Sequence, residues 1–375
     1  MAQALPLPVF DAHVDSLQCQ LDLEEDLGAR TSGHLDLVRG AQGGLGAVVF
    51  VSWVDPKYLI RPGGARARTE ALLREFHVLL DRHPESLRFA GNGRDLAAAR
   101  DAGAIAGIAG VEGGHSIEES LDRLRELFEH GVRVLTLVWN NHLAWIRSCR
   151  DGALPSIPAG LSSFGCEVVR AMNELGMLVD LSHAGERSFR DAIEASSRPV
   201  IASHSGCRKL HDHPRNLTDD QLRALAGNGG VVGIPFCVAF LSREAQEEDA
   251  RLRESAEYRG LSGKNETELF LNQGRFLQRQ AAPLPLDRVV DHVLHAAEIA
   301  GIDHVGLGSD YDGIGRTPAG LEDASSYPTL AARMLERGLA RDDVEKVLWR
   351  NMVRVFGAAT GAGTEADRTP LRALG

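Results

Sequence analysis

Short apolar runs recur along the chain, and most are followed by a stretch whose apolar residues keep helical spacing. The runs fall at 9–10, 46–51, 104–111, 132–138, 177–181, 199–202, 230–236 and 304–308. Continuous rather than alternating apolarity marks strands buried on both faces, as in a parallel sheet covered by helices. Between the runs, Leu72, Leu73, Phe76, Leu79 and Leu80 predict a helix over 66–82. Further helices are expected at about 117–129, 164–175, 218–226 and 286–300, with Gly131, Gly176 and Gly301 as stops and Thr218-x-x-Gln221 as a capping box. Asp342-x-x-Glu345 is expected to cap a last amphipathic helix through Val344, Val347, Leu348, Val355 and Phe356.

Eight strands with intervening helices imply an α/β fold of the (β/α)8 TIM-barrel type. A doubly wound sheet is disfavoured, since no Gly-rich phosphate motif follows the first strand. The length of 375 residues suits a single barrel domain over 1–375. Residues 242–283 break the rhythm: they are polar, helix-prone and too long for a simple connection. A helical insertion is expected there, serving as a lid, a dimer contact or a solvated excursion. A Gly/Pro/Ser-rich loop is expected over about 151–163.

A net charge of −11 argues against nucleic acid as a partner and leaves carboxylates that bound cations could neutralise. The opening residues lack the basic and apolar regions of a signal peptide, no apolar run is long enough to span a membrane, and the last residues carry no hydrophobic tail. The five cysteines (Cys19, Cys149, Cys166, Cys207, Cys237) are scattered and form no C-x-x-C, as expected of reduced thiols. Together these features predict a cytoplasmic protein without a membrane partner.

Barrel enzymes place their reactive groups at the C-terminal ends of the strands. Here those ends carry His13 and Asp15, Glu112, His183, His204 and Asp310. Any one of them reads equally well as a helix cap or a hydrogen-bonded structural group. Three histidines, one glutamate and two aspartates in register are harder to assign to capping. A single catalytic zinc needs only three protein ligands, so the surplus suggests two metals sharing a carboxylate, for which Glu112 is suited. The donor set suits zinc and would also accept cobalt or manganese.

The motifs Asp11-Ala12-His13-Val14-Asp15, Gly110-Val111-Glu112-Gly113-Gly114-His115-Ser116, Asp180-Leu181-Ser182-His183, Ser203-His204-Ser205, Arg215-Asn216 and Gly308-Ser309-Asp310-Tyr311-Asp312-Gly313 resemble those of the membrane dipeptidase (renal dipeptidase) family of zinc peptidases. The resemblance covers about 10–356. It implies two zinc ions per chain, one held by His13 and Asp15 and the other by His183 and His204, with Glu112 bridging. It also implies Asp310 as acid/base, Arg215 as the group that binds the substrate's free carboxylate, and a homodimer. From the residues alone, Arg215 reads as a surface arginine in a polar loop. One departure concerns the histidine that family members carry after the fourth strand to polarise the scissile carbonyl: Trp139 stands there, which leaves His142 as a candidate in substrate binding, an Asn in its place, or polarisation by zinc alone.

The expected activity is hydrolysis of dipeptides with a free C-terminal carboxylate, D-residues at that position included, by a hydroxide held between the metals. Hydrolysis of another amide, such as a lactam or an N-acyl amino acid, is the alternative within enzymes. A metal-binding relative without catalysis is the alternative outside them.

Overall fold

A computed structural model of the chain describes residues 7–361, apart from 151, 153 and 155. The signal-peptide and C-terminal-tail expectations, and three positions of the 151–163 loop, fall on residues outside the described ones.

The described residues form nine parallel strands: β1 (Val9–Val14), β2 (Leu45–Trp53), β3 (Leu87–Phe89), β4 (Ile105–Glu112), β5 (Val132–Thr136), β6 (Leu178–Asp180), β7 (Ile201–Ala202), β8 (Val231–Ile234) and β9 (Val305–Leu307). Eight of them close into a barrel in the order β1-β2-β4-β5-β6-β7-β8-β9, with β9 pairing back to β1. All eight expected strands are present. The ninth, β3, is an addition: it pairs with 105–107 of β4, below the stretch of β4 that pairs with β5. Three residues with one exposed carry too little apolar signal to be read as a strand.

Strand periodicity divides the core into two layers. Ala47, Val49 and Val51 of β2, with Ala106, Ile108, Val134, Leu178, Ile201 and Val231, form the inner layer. Val48, Phe50, Ala109, Val111, Leu135 and Val179 face the surrounding helices. The helix Asn351–Thr360 closes the inner layer from below, where Phe10 packs against Phe356 and against Trp349 of the preceding turn.

The helices at Gly64–Arg82, Ser163–Leu175 and Asp287–Ala300 lie where expected, and the Thr218–Gln221 capping box forms. Two expectations need correction. The helix expected from 117 starts at Leu121 on the cap Ser120, because Gly114–Ile117 first makes a 3-10 turn at the site. Asp342 is not the cap of the last helical stretch. Ala340 holds that place, and Asp342 lies in the first turn, where its charge still complements the helix dipole. Residues 242–283 form the helices Arg243–Arg253, Ala256–Arg259 and Glu266–Gln280. Among the described residues no helix is long and apolar enough to cross a membrane.

Candidate metal centre

The inner-layer periodicity carries directly into the site. Two residues beyond Val51, Gly110, Val134, Leu178 and Ile201 stand Trp53, Glu112, Thr136, Asp180 and Ser203. The register aligns this row, pairing Trp53 with Glu112, Glu112 with Thr136 and Thr136 with Asp180. Polar residues thus cap an apolar barrel at one height. In β1 the pairing with β2 is irregular between Asp11 and Val14, and His13 enters the same site.

The five expected ligands converge. Glu112 Oε1 lies 2.9 Å from His183 Nε2, 3.4 Å from His204 Nε2 and 3.8 Å from His13 Nε2. His13 Nε2 is 3.6 Å from Asp15 Oδ2. Beside the group His13, Asp180 and His204, two triads have donor atoms close enough to share an ion: His13, Asp15 and Glu112, and Glu112, His183 and His204. Glu112 belongs to both. All five residues are buried, yet His13 Nε2, Asp15 Oδ1 and Glu112 Oε1 have no hydrogen-bond partner among the described residues. Buried polar atoms are almost always partnered, so three orphans facing one another fit a cation. The N/O donor set fits zinc.

The electrostatics agree. Burial raises Glu112 well above the usual carboxylate range; His13 opposes this and the charges of Asp15 and Asp310 add to it. Burial lowers His13, but Glu112, Asp15 and Asp310 outweigh it and hold the imidazole at about 10. Burial, with the positive charges of Arg215 and His13, keeps His183 and His204 well below the ordinary histidine value. Neutral imidazole is the form that binds metal.

Asp310 is buried beside this cluster, and burial, reinforced by Asp15 against His13, raises it to about 7. Its backbone is left-handed (φ 63°), as is that of His183 (φ 68°). Such conformations cost about 1–3 kcal/mol each in a non-glycine residue and concentrate at functional sites. Gly313 makes room for the carboxylates: a Cβ there would lie 2.2 Å from Asp15 Oδ2 and 2.6 Å from Asp310 Oδ1. Asp312, in the same motif, is structural. It accepts hydrogen bonds from Ser16 Oγ and the backbone of His34 and Leu35, tying the 31–36 loop to the end of β9.

Arg215 is buried, contrary to the surface reading its loop suggested. Its Nη2 donates to His204 O (2.9 Å), its guanidinium lies 5.2 Å from the Phe240 ring centre, and its Nε has no partner among the described residues. Sequence misplaced it because the His213–Asn216 stretch is polar, yet it folds under the barrel rim. His142 is tied into its own loop: Nε2 lies 2.6 Å from Gly152 O, and Nδ1 accepts from the Ser148 backbone at 3.0 Å. Its neighbours Trp139 and Asn140 line the cavity instead. Trp139 packs edge-on to Trp53 (5.1 Å between ring centres), and Asn140 Oδ1 meets His183 Nδ1 at 3.0 Å.

The cavity over the cluster has a volume of about 770 Å³. Trp53, Trp139, Phe240 and Phe270 give it aromatic walls, and Asn265, Thr267 and Gln273 of the 242–283 segment close one side. That side is latched by polar contacts. Thr267 Oγ1 donates to Asp22 Oδ2 (2.6 Å), Arg68 binds Asp22 with both Nη atoms, and Lys57 pairs with Glu266.

A family model described as "Membrane dipeptidase (Peptidase family M19)" matches residues 4–368. An uncharacterised dipeptidase of Schizosaccharomyces pombe is 34% identical over 367 residues, covering 93% of this chain and 79% of that protein. The structure of dipeptidase AC, a metallo peptidase, superposes with a TM-score of 0.78 at 26% identity, covering 95% of this chain and all of the other. A metallo peptidase from Rhodobacter sphaeroides, liganded with a phosphinate mimic of L-Ala-D-Ala, has the same fold (TM-score 0.76, 24% identity, 94% and 99% covered).

Proposed function

The chain belongs to the membrane dipeptidase family of metallopeptidases, a family of hydrolases acting on peptide bonds, and from that premise we propose that it is a dipeptidase working with two zinc ions. One ion is held by His13 and Asp15, the other by His183 and His204, with Glu112 shared. The observation that carries this reading is the set of three partnerless buried atoms, His13 Nε2, Asp15 Oδ1 and Glu112 Oε1, gathered at the base of the cavity. Bound zinc supplies Lewis acidity and brings the pKa of water from ~16 to about 7.

The chain's own residues do the rest. Arg215 provides a fixed positive charge for the substrate's C-terminal carboxylate, and its partnerless Nε supports that role. Asp310, held near 7, is suited to take a proton from the attacking water and deliver it to the leaving amine. The aromatic walls favour substrates with large apolar side chains, with D-residues accepted at the C-terminal position. The bonds that hold His142 in its loop argue against a direct role in binding, and a bound metal would supply the Lewis acidity that polarises the carbonyl. The 242–283 helices are read as an insertion on a single barrel domain that shapes the cavity mouth.

The test is hydrolysis of a mixed L-X-L-X and L-X-D-X dipeptide library by zinc-loaded protein, with metal content determined on the same sample. Free amino acids released by a protein carrying about two zinc ions per chain are expected. Full zinc occupancy without cleavage of any dipeptide would overturn the substrate and turn the search to lactams and N-acyl amino acids.

A further inference from the structure

We infer that Ser203, oriented by Asp180, is a positioning residue that fixes which ring nitrogen of His204 carries the proton, and so keeps the Nε2 lone pair aimed at the metal centre. The consequence for metal affinity rests on the reading above, whereas the proton arrangement rests on geometry alone.

Ser203 has little freedom. Its backbone N–H donates to Asp180 Oδ1 (2.8 Å), and its carbonyl oxygen fits against Gly233 and Gly308, where a Cβ would come within 2.0 and 1.8 Å. The fully buried Oγ lies 2.6 Å from Asp180 Oδ2, 2.8 Å from His204 Nδ1, 3.2 Å from His13 Nδ1 and 3.3 Å from Ser182 Oγ. A hydroxyl has one proton and an ionised carboxylate only accepts. Asp180 already receives the Ser182 backbone N–H (3.0 Å) and Thr136 Oγ1 (2.6 Å). Ser203 therefore donates to Asp180, and its lone pairs face the two imidazoles. They meet it as Nδ1–H donors, which leaves His204 Nε2 without a proton.

The second histidine of this triad is set the same way by a different group, since His183 Nδ1 donates to Asn140 Oδ1. The Nε2 atoms of His183 and His204 then face each other as bare lone pairs 3.1 Å apart. Were the Ser203 proton reversed, His204 would carry Nε2–H, donate it to His183, and close the pair against a cation. Asp180 decides between these networks. In Asp180→Asn, Oδ1 must still accept two backbone N–H groups, so the amide NH2 points at Ser203. The hydroxyl then turns to His204 Nδ1, which at 2.8 Å is nearer than His13 Nδ1 (3.2 Å) or Ser182 Oγ (3.3 Å). Outer-shell groups of this kind are worth about 10–100-fold in metal affinity.

The experiment uses the full chain with ¹⁵N-labelled histidine, stripped of metal, and reads the His204 ring by two-bond ¹H–¹⁵N correlation. The His204 ring is the one read, since His13 faces the Asp15 and Glu112 carboxylates as well as Ser203. Zinc affinity is measured by chelator competition for wild type, Ser203→Ala and Asp180→Asn. The expected result is His204 as Nδ1–H in wild type and Nε2–H in Asp180→Asn, with zinc affinity about 10–100-fold weaker in both variants. An Nε2–H signal for wild-type His204 would overturn the inference, and so would variants that keep wild-type zinc affinity. If the variants fail to fold, the wild-type spectrum decides alone. An Nδ1–H signal in a protein that binds no zinc supports the inference and defeats the metal-centre reading, which separates the two.

Discussion

At the residue scale, the proposed site separates groups read as metal holders from a group read as a proton carrier. Asp310 lies beside the ligands, and its expected role is proton transfer. Asp310→Asn is therefore expected to keep the metal content while kcat falls by about 10²–10⁴; a variant with near-normal kcat would remove Asp310 from that role. Gly313 makes the converse prediction. Its Cβ would strike Asp15 Oδ2 and Asp310 Oδ1, so Gly313→Ala should lower zinc content and activity together, as metal analysis on the purified variant would show. The five proposed ligands and Asp310 were legible in sequence because each follows an apolar run that marks a strand end, whereas Arg215 follows none. Their supporting groups were not. Ser203 and Asp180 stood inside the quoted motifs, but a serine or an aspartate at a strand end looks the same whether it braces a ligand or caps a helix.

At the element scale, the 242–283 helices shape one wall of the cavity. Glu266–Gln280 places Thr267, Phe270 and Gln273 in the wall of the cavity over the candidate metal centre, held through Asp22 to Arg68. Phe270 is a wall residue of the cavity. Phe270→Ala should accordingly raise KM for dipeptides with bulky side chains and leave kcat within a few-fold, because it removes uniform binding. Steady-state kinetics on one bulky and one small dipeptide would read this, and a loss confined to kcat would contradict it. The sequence marked this segment as an interruption of the βα rhythm. It left a lid, a dimer contact and a solvated excursion equally open, because the choice depends on where three polar helices come to rest.

At the scale of the whole molecule, stability is linked to metal and pH. Ions that bind the folded chain and not the unfolded one stabilise by about 2.7 kcal/mol at a hundredfold excess over Kd. Chelation should therefore lower Tm and zinc restore it, as thermal unfolding would show. In the metal-free chain His13 is raised from 6.5 to about 10. A group raised in the folded state contributes stability that is whole below its unfolded value and lost as pH rises through its folded one. Burial also raises Glu112, and Cys207 and Cys237 to about 12, which acts in the same direction. The metal-free chain should lose stability between pH ~7 and ~10. The zinc-loaded chain should lose much less, since the ion replaces the proton of His13. Urea unfolding of both forms across that range checks the sign, and parallel curves would refute it.

The sequence by itself determined the alternation of strand and helix, the strand ends and the residues standing on them, because burial periodicity is a local property of the chain. It therefore specified the barrel and the residues proposed as its metal ligands. Only the tertiary structure decided that Arg215 lies under the rim rather than at the surface, that His142 turns into its own loop, and that Ser203 stands between Asp180 and two imidazoles. Those facts depend on contacts between residues far apart in the chain: Ser203 and His13 are separated by 190 positions and meet only when β9 pairs with β1 and the barrel closes.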